Sequence, residues 1–234
     1  MSTHEPEYGY PCRLYAISPP QIEPDIFANI LADAFEGGDV GAFQLRLKDT
    51  ADADIYKAAR TLLPICKEHD VAFILNDRPD IAFEVGADGV HLGQEDMGIK
   101  QAREIVGSDS VIGISCHDSS HMAMEAGEMG ADYVAFGAFY ETASKSPEAL
   151  AKYGTPKPDV LEWWATYTVV PSVAIGGITP QNCAPLVEAG ADFVAAITAI
   201  WNHADSPRKA VEEFNLAIRN ALKNRKPGSE HEAA

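Results

Sequence analysis

Eight short apolar segments alternate along this chain with segments of helical periodicity, and that alternation constrains the fold more than any other feature. The strand-like segments, in order, are RLYAI, AFQLR, AFIL, GVHL, VIGIS, YVAFG, SVAIG and FVAAI. The segments between them, such as DIFANILADAFEG, carry apolar residues every three to four positions and often end at glycine. Apolar strands separated by helices predict a parallel sheet covered by those helices. Eight such units predict an α/β fold, a single (β/α)8 TIM barrel.

A repeated phrase supports the same fold. GADGVHLG at 86–93, GADYVAFG at 130–137 and GADFVAAI at 190–197 are variants of one pattern, and GGDVGAFQL at 37–45 is a looser copy. One further strand lies between successive copies, so the phrase marks every second strand–helix unit. In each copy we expect Gly to end a helix and Asp to form the turn into the following strand.

The alternative fold is an open, doubly wound sheet, which usually carries a glycine-rich phosphate loop after an early strand. The segment AISPPQI after the first strand offers no such loop, which favours the barrel. The last helix is predicted over SPRKAVEEFNLAIRNALKN, capped by Ser206 with Pro207 at its first position. We therefore expect an N-terminal extension over 1–12, the barrel over 13–223 and a disordered tail over 224–234.

Composition limits the partners and the location. With 234 residues, 46% of them apolar, the chain can bury one sizeable core. Its net charge of -17 repels nucleic acid and anionic membranes, so an anionic ligand needs a locally positive pocket. The start lacks a signal-peptide pattern, and no segment approaches the roughly 18 apolar residues of a membrane span. We expect a cytoplasmic protein without nucleic-acid or membrane partners; a homo-oligomer remains open.

Cysteines and histidines receive mainly structural interpretations. The cysteines lack the spacing of a zinc site or of a disulfide framework, so buried, inert thiols are expected. They are Cys12, Cys66, Cys116 and Cys183. His91 lies inside a strand and should be packed and hydrogen-bonded, whereas His117 is interpreted as a cap or exposed loop residue rather than as a catalytic base.

The second strand carries an unusual polar face. In AFQLRLKD, the alternation of two places Gln44, Arg46 and Lys48 together, opposite an apolar face that must meet the helices. Burying two cations is costly unless a counter-charge neutralises them. An internal ion-pair network with Asp77 and Asp96 is one solution. An anionic ligand is the other, and stacked Arg and Lys side chains suit a phosphate well.

Two acids follow the third and fourth strands. Neighbouring strands lie roughly 4.8 Å apart, so Asp77 and Asp96 can converge at the carboxyl end of the barrel, where active sites of this fold form. Two carboxylates there could hold Mg²⁺ together with phosphate oxygens and water. The alternatives are a turn or helix cap before Pro79 for Asp77, and a helix cap ahead of Gly98 for Asp96.

The loop after the sixth strand, GAFYETASKSPEA, contains Thr142, Ser144 and Lys145. Two hydroxyls and an ammonium group suit a loop that closes over phosphate, although such loops are also common as solvated turns. Ser115, at the predicted end of the fifth strand, points to the same mouth of the barrel and could donate to a phosphate.

The ends of the last two strands resemble a phosphate-binding corner. AIGGIT places Gly176 and Gly177 where bare backbone amides can approach a ligand, and AITAIWN can begin a short helix near Thr198. Amides and a helix start facing an anion are typical of barrels at this position. Tight turns that require glycine are the alternative explanation.

In order and spacing, LYAIS, QLRLKD, NDRPDIAFEVGADGVHLGQEDM, GISCH, GADYVAFGAFYETASK, AIGGI and GADFVAAITAI resemble the thiamine phosphate synthase family, from Arg13 to Trp201. The TenI-like thiazole tautomerases are similar too. The resemblance implies a Mg²⁺-assisted transferase acting on small phosphorylated substrates. It would couple hydroxymethylpyrimidine diphosphate with thiazole phosphate and release thiamine phosphate and diphosphate.

The resemblance also implies roles for individual residues. The contacts to the pyrimidine diphosphate would be Gln44, Arg46, Lys48, Asn76, Ser115 and Lys145. The contacts to the thiazole phosphate would be Thr142, Ser144, Gly177, Ile197 and Thr198. The residues that would stabilise the departing diphosphate, and so act catalytically, are Arg46, Lys48 and Lys145. The Mg²⁺ ligands would be Asp77 and Asp96.

Three positions depart from the family pattern: Ala138 replaces a Pro, Ser144 replaces a Thr, and Thr198 stands where Ser is usual. Hydroxyls survive in the last two. Two other functions stay open. A TenI-like tautomerase would share the thiazole site and use His117 as its base. The residues that argue against it are the intact Gln44, Arg46, Lys48, Asp77 and Asp96. The second open function is that of a non-catalytic relative that binds thiamine intermediates.

Overall fold

The computed structural model describes residues 12–142 and 152–225, and these form a closed barrel of eight parallel strands in sequence order. The predicted TIM barrel is confirmed, and the open sheet is wrong because β1 pairs with β8 and closes the ring. The strands are β1 Arg13–Ile17, β2 Val40–Leu45, β3 Ala72–Asn76, β4 Gly89–Leu92, β5 Val111–His117, β6 Tyr133–Phe136, β7 Ser172–Ile175 and β8 Phe193–Ala196.

Helices cover the outside of this barrel. Those in the described residues are α1 Pro24–Phe35, α2 Asp52–Glu68, α3 Pro79–Val85, α4 Ile99–Val106, α5 Ser120–Glu128, α6 Asp159–Tyr167, α7 Ala184–Glu188, α8 Thr198–Trp201 and α9 Pro207–Leu222. Ser206 caps α9 by accepting from the backbone N–H of Lys209 at 3.1 Å, as predicted. Within the described ranges, none of the helices has both the length and the apolar character to cross a bilayer.

The aspartate of the repeated phrase does more than form a turn. In each of the three close copies its backbone N–H donates to the carbonyl of one residue in the preceding strand, and its carboxylate accepts from the N–H of the same residue at 2.7–2.8 Å. The pairs are Asp88 with Phe73, Asp132 with Ile112, and Asp192 with Ser172. Each aspartate therefore ties the start of one strand to its neighbour.

The looser copy departs from this arrangement. The carboxylate of Asp39 accepts instead from the guanidinium of Arg13 on β1, at 2.6–3.1 Å. The backbone N–H of Asp39 donates to the side-chain oxygen of Asn215 on α9 at 3.0 Å. The same repeat position thus joins the first two strands to the last helix.

Removing one of these ties should cost stability. In Asp192→Ala, the buried N–H and hydroxyl of Ser172 lose the carboxylate that accepts from both. We expect the free energy of unfolding, measured by urea denaturation, to fall by about 2 kcal/mol. Asp192→Asn keeps an oxygen acceptor and should lose clearly less. An alanine variant as stable as the parent would contradict this role.

The core has two parts that the barrel wall separates. The larger part lies between strands and helices and includes the fully buried Trp164 and Phe43. The smaller part fills the barrel interior with Tyr15, Ile17, Ile74, Tyr133, Ala135, Val173 and Ala195. All four cysteines are free and buried, so the prediction of buried thiols is confirmed, and burial raises the pKa of Cys116 to about 12.

Candidate active site

A cavity of about 640 Å³ opens at the carboxyl ends of the strands. The predicted site residues that line it are Gln44, Arg46, Lys48, Asn76, Asp77, Asp96, Ser115, Thr142, Gly177, Ile197 and Thr198. Strand and loop ends from all around the barrel therefore contribute, as expected for this fold. Ser144 and Lys145 lie outside the described residues.

Arg46 and Lys48 follow the end of β2 and line the mouth of the cavity. Neither Arg46 nor Lys48 comes within 4.0 Å of a carboxylate in the described residues, so the internal ion-pair network is wrong. Burial lowers the pKa of Arg46 below its usual value, and the charge of Asp77 opposes that shift. A half-buried cation of this kind is prepared to bind an anion.

A serine that the sequence did not single out holds this part of the chain. The backbone N–H of Arg46 donates to the hydroxyl of the buried Ser18 at 2.8 Å, and the N–H of Ser18 donates to the carbonyl of Gln44 at 2.9 Å. The N–H of Lys48 donates to the carbonyl of Pro20. The only signal was the SPP sequence after the first strand, which is not characteristic of a binding site.

The two acids converge as predicted. Asp77 has a left-handed backbone with φ of 64°, and its N–H donates to the carbonyl of His91 at 2.8 Å. Burial, a hydrogen bond to Asp96 and the negative charge of Asp96 together raise the pKa of Asp77 to about 6. Asp96 accepts from the N–H of Gly93 at 2.7 Å. Neither acid caps a helix, because α3 and α4 begin without a side-chain cap, so the capping alternatives are wrong. The alternative of a turn at Asp77 is confirmed, since the N–H of Arg78 donates to the carbonyl of Asn76 at 2.9 Å.

The chemistry of this acid pair fits a divalent cation. Asp77 and Asp96 crowd two carboxylates at one edge of the mouth, and their mutual repulsion is what a bound cation relieves. Across 12–142 and 152–225, no cluster of three or more Asp, Glu, His or Cys side chains forms a metal site. Protein ligands would therefore be two carboxylates, and Mg²⁺ commonly takes its other ligands from substrate phosphates and water.

A chain of buried hydrogen bonds runs across the floor of the cavity. The Gln44 amide nitrogen donates to the hydroxyl oxygen of Tyr15 at 3.3 Å, and the two tyrosine hydroxyls of Tyr15 and Tyr133 lie 2.9 Å apart. His91 then bridges Tyr133, 2.8 Å from Nδ1, and Ser115, 2.9 Å from Nε2. The predicted packed, hydrogen-bonded His91 is confirmed, and burial and the charge of Arg46 lower its pKa to about 4.

His117 is not where the sequence placed it. It is the last residue of β5, with φ of 56°, and its ring stacks on Tyr153 at 3.7 Å between centroids. Ser119, rather than His117, caps α5 by accepting from Met122. The predicted cap or exposed loop position is therefore wrong, because β5 extends two residues past Ser115 through an irregularity in its pairing with β6.

The glycine turn after the seventh strand and the helix start after the eighth are both present, and phosphate binding there stays a prediction. Gly176 and Gly177 have φ of 102° and 63°, and the backbone after β6 lies against them, with the N–H of Tyr140 donating to the carbonyl of Gly176 at 3.1 Å. Asn182, which the sequence did not single out, donates to the carbonyl of Gly177 at 3.0 Å. The short helix α8 begins at Thr198 beside this turn.

Comparisons with known proteins agree with this geometry. Residues 14–200 match the family model described as thiamine monophosphate synthase. The chain is 52% identical over 208 residues to the thiamine-phosphate synthase of Rhodospirillum centenum, covering 89% of this chain and 98% of that protein. It is 48% identical over 210 residues to the thiamine-phosphate synthase of Erythrobacter litoralis, covering 89% and 96%. The solved structure of thiamine phosphate pyrophosphorylase from Pyrococcus furiosus superposes with a TM-score of 0.77 at 33% identity, covering 90% and 96%.

Proposed function

The chain belongs to the thiamine monophosphate synthase family, and from that membership we propose that it couples hydroxymethylpyrimidine diphosphate with thiazole phosphate. The products are thiamine phosphate and diphosphate, so the enzyme is a transferase of thiamine biosynthesis. Its substrates are small phosphorylated molecules. We further propose that it works in the cytoplasm, and a homo-oligomer stays a prediction.

One observation carries the proposal: at the same mouth, two crowded carboxylates meet two cations that contact no carboxylate of the described part of the chain. Asp77 and Asp96 supply the oxygen ligands for a divalent cation, and Arg46 and Lys48 supply positive charge for an anion. A diphosphate with its Mg²⁺ complements both halves. A thiazole tautomerase binds no diphosphate, so it would need neither the pair of carboxylates nor the pair of cations.

The reaction needs charge stabilisation more than it needs a base. The bond between the pyrimidine methylene carbon and the diphosphate oxygen breaks, and its electron pair leaves with the diphosphate. Arg46, Lys48 and Lys145 are proposed to stabilise that departing charge, and Gln44 and Asn76 to orient the pyrimidine. When bound by Asp77 and Asp96, Mg²⁺ would neutralise further charge on the diphosphate oxygens.

The second bond forms from the thiazole side. The ring nitrogen uses its free lone pair to attack the methylene carbon, so no side chain has to remove a proton. We place the thiazole phosphate at the glycine corner, within reach of backbone amides. The proposed contacts are Thr142, Ser144, Gly177, Ile197 and Thr198.

A direct assay tests this function. Purified protein with both substrates and Mg²⁺ should form thiamine phosphate, EDTA should abolish the activity, and added Mg²⁺ should restore it. Absence of product under every metal condition would refute the synthase function. Interconversion of thiazole tautomers instead would identify a tautomerase, for which His117 is the candidate base. Binding of the pyrimidine diphosphate without turnover would identify a non-catalytic relative.

A further inference from the structure

We infer that Tyr133 is a positioning residue: its hydroxyl holds the proton of His91 on Nε2, which leaves the Ser115 hydroxyl free to donate to the substrate's diphosphate. The inference rests on the proposed function, and it adds two tyrosines in the barrel interior to the residues that shape the site. Four hydrogen-bond contacts connect Gln44 with Ser115, through Tyr15, Tyr133 and His91.

Gln44 determines which group donates in each hydrogen bond. Its amide nitrogen can only donate, so the Tyr15 oxygen is the acceptor in that contact. A phenol carries one proton, and within 12–142 and 152–225 the other polar contact of the Tyr15 hydroxyl is the Tyr133 hydroxyl at 2.9 Å. Because a buried hydroxyl proton needs an acceptor, Tyr15 donates to Tyr133.

The directions of the next two hydrogen bonds, toward the mouth, follow from that of the first. With Tyr15 donating to it, Tyr133 must give its own proton to Nδ1 of His91, 2.8 Å away. A neutral imidazole carries one proton, so that proton lies on Nε2 and is donated to the Ser115 oxygen at 2.9 Å. The proton of Ser115 is then the one that remains for the cavity.

The opposite direction would not suit an anion. If Ser115 donated to His91, only the lone pairs of its oxygen would face the mouth, and they would repel phosphate oxygens. The direction set at Gln44 presents a proton instead, which makes a charge-assisted hydrogen bond. Gln44 and Ser115 are both proposed substrate contacts. The hydrogen bonds between them therefore connect the pyrimidine side of the site with the diphosphate side.

Packing against neighbouring side chains fixes the position of the Tyr133 ring. Tyr133 packs edge-on against Tyr15 and stacks on His91, with centroids 6.1 and 5.6 Å away. Its ring occupies the space above Gly113, where an added Cβ would lie 1.9 Å from the ring carbon that bears the hydroxyl. The hydroxyl is therefore fixed by packing and has little freedom to find another partner.

The tautomer of His91 provides a direct test in the unliganded protein. Nitrogen chemical shifts of ¹⁵N-labelled histidine distinguish a protonated ring nitrogen from a bare one, and loss of the signals in His91→Gln assigns them. We expect a proton on Nε2 in the parent and in Tyr15→Phe, because Tyr133 can still donate to Nδ1 there. In Tyr133→Phe, Nδ1 loses its donor, so a mixture of both tautomers is expected.

Binding and turnover should follow the tautomer. Loss of a hydrogen bond to a charged group predicts that Tyr133→Phe lowers both kcat/KM for the pyrimidine diphosphate and affinity for inorganic diphosphate with Mg²⁺ by about tenfold. Tyr15→Phe should lower them by about threefold at most. The KM for thiazole phosphate should stay unchanged. Tyr56→Phe, which removes a hydroxyl bonded to Glu84 outside the barrel, should match the parent.

The outcomes separate this inference from the proposed function. A parent protein with the His91 proton on Nδ1 would overturn the inference, and so would equal losses in the two buried tyrosine variants with an unchanged tautomer. If the parent makes no thiamine phosphate, the proposed function fails. The tautomer and the diphosphate affinity then still decide whether Tyr133 positions Ser115.

Discussion

Asp96→Asn is expected to lower kcat/KM for thiamine phosphate formation at least about a hundredfold, because it removes a charge that would hold Mg²⁺ against the diphosphate. The substitution is chosen to preserve the local fold. Asp96 accepts from the N–H of Gly93 at 2.7 Å, and an asparagine oxygen can accept the same bond. The loss of repulsion toward Asp77 also means that the free energy of unfolding should not fall. Steady-state kinetics with both substrates, alongside urea denaturation, measure the two effects.

A neighbouring residue provides the matched control. Glu95→Gln makes the same change of charge one position away, on an exposed side chain that pairs with Lys152 at 3.2 Å and does not line the cavity. Its activity should remain close to that of the parent. High Mg²⁺ concentrations should restore part of the activity of Asp96→Asn and leave Glu95→Gln unaffected. Near-normal turnover by Asp96→Asn at low Mg²⁺ would contradict the metal site.

Gly177→Ala is expected to lower kcat/KM for thiazole phosphate by about a hundredfold, the scale that a displacement of roughly 1 Å in a binding group can cause. The backbone of Gly177 has φ of 63°, and an added Cβ would lie 2.3 Å from the carbonyl oxygen of Glu141 and 2.9 Å from the Cβ of Tyr140. Because the first of these contacts is with backbone, the turn itself must move. The KM for the pyrimidine diphosphate should change much less, since that substrate is placed on the opposite side of the mouth.

Gly86→Ala is a control that distinguishes the steric clash expected at Gly177 from the stability cost of a left-handed alanine. Gly86 ends α3 with φ of 71°, similar to Gly177, but an added Cβ there meets nothing within 4 Å. Both variants should lose about 1 kcal/mol of stability from the left-handed conformation. Only the variant in the corner should lose activity. Equal activities in the two alanine variants would show that the corner does not hold the thiazole phosphate.

Much of the fold could be predicted because its signals are local in the chain. The period of apolar residues and the glycines at helix ends are read within a few positions, and they placed all eight strands. The convergence of Asp77 and Asp96 was also predictable, since consecutive parallel strands end at the same edge. The alternation of two also placed Arg46 and Lys48 at the mouth with Gln44, although β2 itself ends at Leu45.

Local signals failed where neighbours in space decide the outcome. His117 follows an apolar run and was assigned to a loop, but pairing of β5 with β6 carries the strand through it, and Tyr153 stacks on its ring. The aspartates of the repeated phrase were assigned to turns, and their bonds to the preceding strand were not foreseen. Ser18 and Asn182 support the site through bonds to backbone atoms, which leave no pattern in the sequence.

The sequence by itself determined the barrel, the edge at which the site forms and most of the charges that meet there. It did so because periodicity states which face of an element a residue occupies. Periodicity does not state which atom that residue meets across the barrel. Tyr15 and Tyr133 are 118 positions apart, and only closure of the sheet brings their hydroxyls to 2.9 Å. The hydrogen-bond contacts from Gln44 to Ser115, from which we infer the direction of the protons, were decided by the tertiary structure alone.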